Sequence, residues 1–196
     1  MMNPIWALNR SYFISPTSSV HHVLEDLVAS GIHVNGTREV LNARVIFSNL
    51  GCSDDFTWKS MGANIFEVNA LRRAISSRDN SFISATYESK YYTFLYDAIK
   101  SVREQFTVDC VETRRAVIQF PEMHCFESIQ IIVRGKHLII TTNMRSCNAY
   151  KNLMNDAYLA YRVAQKVVAG FGIEECTMTM NIGSLHIFEE DVDNVL

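Results

Sequence analysis

The chain has 196 residues, 48% of them hydrophobic, with three prolines and a formal net charge of −3. That length fits one domain spanning 1–196 with a core of ordinary size, and such apolar content excludes a disordered protein. The slight negative balance excludes a surface built to wrap nucleic acid, so any anionic ligand is small and is met by a local group of arginines.

In chain order, SSVHHVLEDLVASGI (18–32) has helical spacing, with Val20, Val23, Leu24 and Leu27 on one face and Gly31 as the stop. EVLNARVIFSNL (39–50) reads as a strand. ANIFEVNALRRAISSRDN (63–80) and SKYYTFLYDAIKSVREQF (89–106) read as helices, and RRAVIQF (114–120) as a short strand. In SIQIIVRGKHLIITTN (128–143) two β-branched runs flank Arg-Gly-Lys, the pattern of a hairpin. Residues 153–169 predict a helix with Leu153, Ala157, Ala160, Tyr161, Ala164 and Val168 on one face, closed by Gly170 and Gly172. TMTMNIGSLHIF (177–188) alternates polar and apolar residues like a half-buried strand. Together these elements predict an α+β fold, a mixed β-sheet with helices packed on one side. No linker, repeat or low-complexity run divides it.

The five cysteines (Cys52, Cys110, Cys125, Cys147 and Cys176) carry no CxxC or Cys/His spacing, so no structural metal is expected. MMNPIWALNR lacks the charged stretch and long apolar run of a signal peptide. No uncharged apolar run reaches about 18 residues, so no membrane span is predicted. The expected setting is reducing and cytoplasmic, with free thiols.

Several residues carry chemistry, each with a plainer reading beside it. Cys125, in FPEMHCFESIQ, reads from local sequence as a small buried residue at a strand start; the other reading is a thiolate nucleophile. His124 is a doubtful partner for it, because adjacent strand residues point to opposite faces. Arg145-Ser146 is either a solvated turn or a phosphate site, where the guanidinium fork takes two oxygens and the hydroxyl adds a donor. Arg114-Arg115 offers further positive charge to the same anion. Asp156, after Asn155 and before AYLAY, is either a helix N-cap or a base-reading group. A carboxyl group suits cytosine, accepting from N4 and, when protonated, donating to N3, whereas an Asn amide suits uracil. His186 reads as a core histidine or a donor to a sugar hydroxyl. Glu67, on a largely apolar helix face, is a candidate acid/base.

Along the chain these are Arg114-Arg115, then Cys125 with Gln130 five residues on, Arg145-Ser146 twenty residues after the cysteine, Asp156 ten after the serine, and G-x-x-H-I-F from Gly183. The set resembles the thymidylate synthase family. Within it, NMRS, NDAY and NIGSLHIF are similar to the phage deoxycytidylate (dCMP) hydroxymethylases. The likeness covers roughly residues 110–190 and is looser before them.

The resemblance implies a thymidylate synthase-like fold and a pyrimidine C5 hydroxymethyltransferase. Such an enzyme converts dCMP or CMP, 5,10-methylenetetrahydrofolate and water to the 5-hydroxymethyl nucleotide. It implies Cys125 adding to C6, Asp156 selecting cytosine and helping place a proton at N3, and Glu67 organising water and proton transfers. It further implies Arg145 and Ser146 holding the phosphate, joined by Arg114 and Arg115 of the second subunit of a homodimer, and Gln130, His186 and Tyr87 contacting the base or sugar. Four positions depart from the family: Phe126 replaces a His, Asn148 an Asp, Asn152 a Gly on the folate side, and Phe188 the Tyr at the sugar. Several alternatives stay open: ribose or deoxyribose, Arg38 or Arg44 as a further phosphate ligand, and phage DNA modification or nucleoside biosynthesis as the setting. Folate-independent chemistry at the same site, or a non-catalytic nucleotide-binding protein, are the alternatives to the hydroxymethylase.

Overall fold

The computed structural model describes residues 9–51, 55–64, 94–106, 112–121 and 125–196, with the backbone alone at 55 and 56. In order they form β1 (Ser11–Ile14), α1 (His21–Ser30), β2 (Ile32–Val34), β3 (Thr37–Phe47), α2 (Asp55–Met61) and α3 (Leu95–Arg103). Then come β4 (Val117–Gln119), β5 (Phe126–Arg134), β6 (His137–Asn148), α4 (Leu153–Val167), β7 (Glu175–Phe188) and α5 (Glu189–Val192). Glu67, Tyr87, Cys52, Cys110 and His124 lie outside the described residues, as does the predicted helix 63–80 beyond Asn64.

The strands make one mixed sheet in the order β1-β3-β7-β6-β5-β4, with β2 also on β3. β1 runs parallel to β3 and β6 parallel to β7, while the other pairs are antiparallel. The expected α+β architecture is therefore the one seen. The predicted hairpin is β5–β6, turning at Gly135, whose φ of 57° suits a two-residue turn that matches strand twist. β1, β2, α2 and α5 were not foreseen, being four, three, seven and four residues long. Elements that short show no resolvable periodicity.

Helices cover one face of the sheet. α4 is buried almost all round, with Ala157, Ala160 and Ala164 allowing close approach. Its Tyr158 and Tyr161 rings lie 5.8 and 5.2 Å from Trp58, whose indole is fully buried. At the sheet edge, Tyr12 Oη donates to Asp26 at 2.7 Å and Arg10 pairs with the same carboxylate, fastening β1 to α1. The opposite face presents rows such as Phe13–Ile46–Thr179–Thr141–Gln130 and Ser11–Arg44–Asn181–Asn143–Ser128. Phe13 is 65% exposed there. Asn181 Nδ2 donates to Asn143 Oδ1 (3.1 Å), and Asn143 Nδ2 to Ser128 Oγ (3.0 Å).

At one level of the sheet, the buried side-chain phase slips by one residue on four adjacent strands. On β6 it passes from Leu138, Ile140, Thr142 and Met144 to Cys147; on β7, from Met178, Met180 and Ile182 to Leu185 and Ile187. On β3 it passes from Phe47, Val45 and Ala43 to Val40, and on β5 from Ile129 to Phe126. The ladders skip Asn42, Gly183 and Arg145 at this level, and Asn42 has φ 53°. This is a stack of β-bulges, each adding one residue and re-aiming the side chains beyond it. Because the strands slip together, Met144↔Ile182 and Ser146↔Ser184 keep one register. Close approach fixes the residue at the centre: a Cβ on Gly183 would lie 2.6 Å from the Arg145 carbonyl oxygen.

Candidate active site

Cys125 sits immediately before β5, at the bulge level. The Arg145 N–H donates to the Cys125 carbonyl at 2.8 Å, and the Ser146 hydroxyl donates to Sγ at 3.7 Å. The hairpin thus returns the chain to its own start and joins residues twenty apart in sequence. Cys125 is exposed and free, so the local reading of a small buried residue is corrected. Phe126 takes the buried place instead, stacked 5.1 Å from Phe120. The Cys125 sulfur is thus accessible, with a hydroxyl donor beside it.

Asp156 is not an N-cap. α4 starts at Leu153 with Asn152 in the cap position, and Asp156 is the fourth helical residue, 6% exposed. A buried carboxylate needs donors. One is the Cys147 thiol, 3.6 Å from Oδ2, itself 2% exposed. Burial pushes the Cys147 thiol well above its ordinary range, and the charge of Asp156 and its hydrogen bond add to the effect. The thiol therefore remains protonated and donating.

Asn148 ends β6 and organises the turn into α4, its Oδ1 accepting from the Tyr150 and Lys151 N–H groups at 3.0 Å each. His186 stands opposite Asn148 and Glu39, half-buried rather than core, its ring edge-on to Phe188 at 5.4 Å. Beside it Ser184 donates to Glu39 at 2.6 Å. A cleft of about 500 Å³ opens by the first turn of α4, lined by Gly62, Asn64, Tyr150, Asn152 and Asn155 among others. Within the lining, the buried Asn152 Oδ1 has no hydrogen-bond partner among the described residues. Lys151 binds Asp191 at 2.9 Å and Glu190 at 3.3 Å, fastening α5 over this turn.

Other sequence candidates lie elsewhere. Gln130 donates to the Arg114 carbonyl at 3.2 Å, in a row of the opposite sheet face, four residues along β6 from the Arg145 level. That separation is roughly 13 Å along the strand, so one chain's Arg114 and Arg115, both exposed, do not join Arg145 and Ser146. Arg38 is held by Glu189 and the Val28 carbonyl, and Arg44 stands on the opposite face beside Asn181. The cluster among the described residues is therefore Cys125, Arg145, Ser146, Cys147 and Asp156, bordered by Glu39, Ser184 and His186. Cys147 and the Glu39–Ser184 pair were missed, for strict alternation along β6 turns Cys147 away from the helices.

No family model matches the chain, and no curated protein matches it. Among solved structures it is similar to the thermostable thymidylate synthase A from Bacillus subtilis. The identity is 14%, the match covers 91% of this chain and 83% of the other, and the TM-score is 0.65. The fold is that of thymidylate synthase. On this fold, Cys125 precedes the long hairpin and Asp156 enters from the helix after it. Among the described residues, no helix of the thymidylate synthase-like chain is long and apolar enough to cross a membrane. No group of three or more His, Cys, Asp or Glu side chains there suits a metal ion.

Proposed function

We propose that the protein is a pyrimidine nucleotide C5 hydroxymethyltransferase acting on dCMP or CMP. The observation that carries the reading is the Ser146 hydroxyl on the Cys125 sulfur, with the Arg145 main chain tied to Cys125 and a buried carboxylate on the adjoining helix, within a thymidylate synthase fold. Arg145 and Ser146 take the phosphate, Asp156 takes the cytosine edge, and His186 lies toward the sugar. The Cys125 sulfur adds to C6, moving the C5=C6 electron pair to C5. C5 then bonds to the one-carbon unit and loses its proton. The bound one-carbon donor would supply this unit with its own amine as the leaving group, water would complete the hydroxymethyl group, and elimination of Cys125 restores the ring. The carbon enters and leaves at the oxidation level of formaldehyde, so no reductant is consumed.

Bound 5,10-methylenetetrahydrofolate supplies that carbon. The Asn152 Oδ1 acceptor beside a cleft of about 500 Å³ suits a flat ring rich in N–H donors. The Asn148 side-chain oxygen is occupied by its own turn, and this favours the second reading, a folate-independent reaction or simple nucleotide binding at the same site. Glu67 and Tyr87 enter this proposal from the family resemblance alone. A homodimer is part of the proposal: the exposed sheet face pairs with a second copy, which brings its Arg114 and Arg115 to the phosphate.

The test is tritium release from [5-³H]dCMP and [5-³H]CMP, with and without methylenetetrahydrofolate. Folate-dependent release that Cys125→Ser abolishes, with nucleotide binding retained, is the expected result. Release without folate selects the second reading, and release that persists in Cys125→Ser moves the chemistry off Cys125.

A further inference from the structure

Cys147 is buried between the site and α4, and its sulfur lies 3.6 Å from Asp156 Oδ2. It stands on β6 next to Ser146, whose hydroxyl reaches the Cys125 sulfur. The bulge at Arg145 turns it inward; without that slip, Ser146 would occupy the inward place. Neighbouring residues of one strand thus address the two reacting ends of the site, Ser146 the sulfur and Cys147 the carboxylate.

We propose that Cys147 is a positioning residue that sets the hydrogen-bond polarity of residue 156. The inference rests on the reading of Asp156 as the group that meets the pyrimidine edge. A thiol is a weak donor and a weaker acceptor, so it holds an acceptor atom of residue 156 on its own side. With an ionised aspartate, the remaining oxygen is then also an acceptor, complementary to the N4 amine of cytosine. With an asparagine at 156, the same S–H would draw the amide oxygen inward and turn the NH₂ outward, complementary to O4 of uracil. One buried donor therefore makes the identity of residue 156 decide between the two bases, instead of leaving an amide free to flip. It also keeps the carboxylate oxygen satisfied in a place where water does not reach it.

The experiment measures the affinities of the full-length protein for dCMP and dUMP by calorimetry and takes their ratio, with Asp156→Asn as the control. In the Asp156→Asn chain, whose amide can flip, adding Cys147→Ala is expected to raise the dCMP-over-dUMP ratio about five- to tenfold, the scale of one ordinary hydrogen bond. Adding Cys147→Ser instead, which keeps a donor, is expected to leave the ratio within about twofold of that of Asp156→Asn. A merely structural role would weaken both nucleotides alike and leave the ratio unchanged. A ratio within twofold of Asp156→Asn in the double variant, with Asp156→Asn itself lowering the parental ratio, overturns the role of Cys147 and keeps that of Asp156. An unchanged ratio in Asp156→Asn overturns the base-reading assignment itself. Should the alanine variant not fold, Cys147→Val, of similar volume and without a donor, takes its place in the same comparison.

Discussion

Replacing Gly183 with alanine sets a methyl group against the backbone of the neighbouring strand. The new Cβ would lie 2.6 Å from the Arg145 carbonyl oxygen and 3.6 Å from that of Met144. An ordinary carbon–oxygen approach is about 3.3 Å, so β6 and β7 must part locally by about 0.7 Å. No flexible side chain absorbs the shift, because both obstacles are main-chain atoms. Arg145 is also tied through its N–H to the Cys125 carbonyl, so the strain passes to the sulfur. Overpacking of this kind costs about 1–3 kcal/mol, a fall in Tm of roughly 2–12 °C for a chain of this size. Circular-dichroism melts and dCMP titrations on Gly183→Ala read both effects, and nucleotide affinity should drop along with Tm. A variant that melts within about 1 °C of the parent and binds dCMP equally would falsify the role given to this close approach.

Trp58→Ala should cost about 3–5 kcal/mol in urea melts. Trp58→Phe should cost clearly less, since it keeps an aromatic ring against Tyr158 and Tyr161 and removes an indole N–H with no partner among the described residues; equal losses would contradict this. Burial pushes the Asp26 carboxyl up, but hydrogen bonds from Tyr12, Arg10 and Ser30 outweigh it and hold it below the usual carboxylate range. That stability is complete above the unfolded value of about 3.9 and is lost as pH falls through the lower folded value. The stability gap between the parent and Asp26→Asn should therefore shrink from about pH 5 downward, and a gap independent of pH would contradict the assignment. Mixing an Arg114→Ala, Arg115→Ala chain with a Cys125→Ser chain should recover roughly a quarter of parental activity, since half the dimers are mixed and each holds one intact site. No recovery would mean that the arginines do not act across subunits.

The β5–β6 hairpin was legible because two β-branched runs flank a glycine turn, and α4 because small and apolar residues recur along one face. β7 announced itself by alternation. The site was legible in identity more than in arrangement. Spacing alone does not say that Cys125 is exposed, since its strand context resembles that of a buried cysteine. Asp156 was open to an N-cap reading because Asn152, four residues earlier, gives no stronger signal at the true helix start. Cys147 was beyond reach for a physical reason: alternation counted from Leu138 places it outward, and only the bulge at Arg145 reverses that. Arg114 and Arg115 were visible as a pair, but their separation from Arg145 depends on strand register, which no local pattern reports.

The stacked bulges divide the chain into lengths that can vary and lengths that cannot. An insertion of one residue in a single strand at the bulge level would leave that strand out of step with the strands beside it and exchange its inner and outer side chains beyond the insertion. At the far end, by contrast, one residue added to each arm beside Gly135 leaves every pairing from Ile129↔Thr142 inward as it is. Cys125 and Arg145 behave like the jaws of a caliper whose handles can be lengthened. Grafted loops, reporter tags or longer hairpins therefore belong at the Gly135 tip, where the geometry around the Cys125 sulfur does not register them.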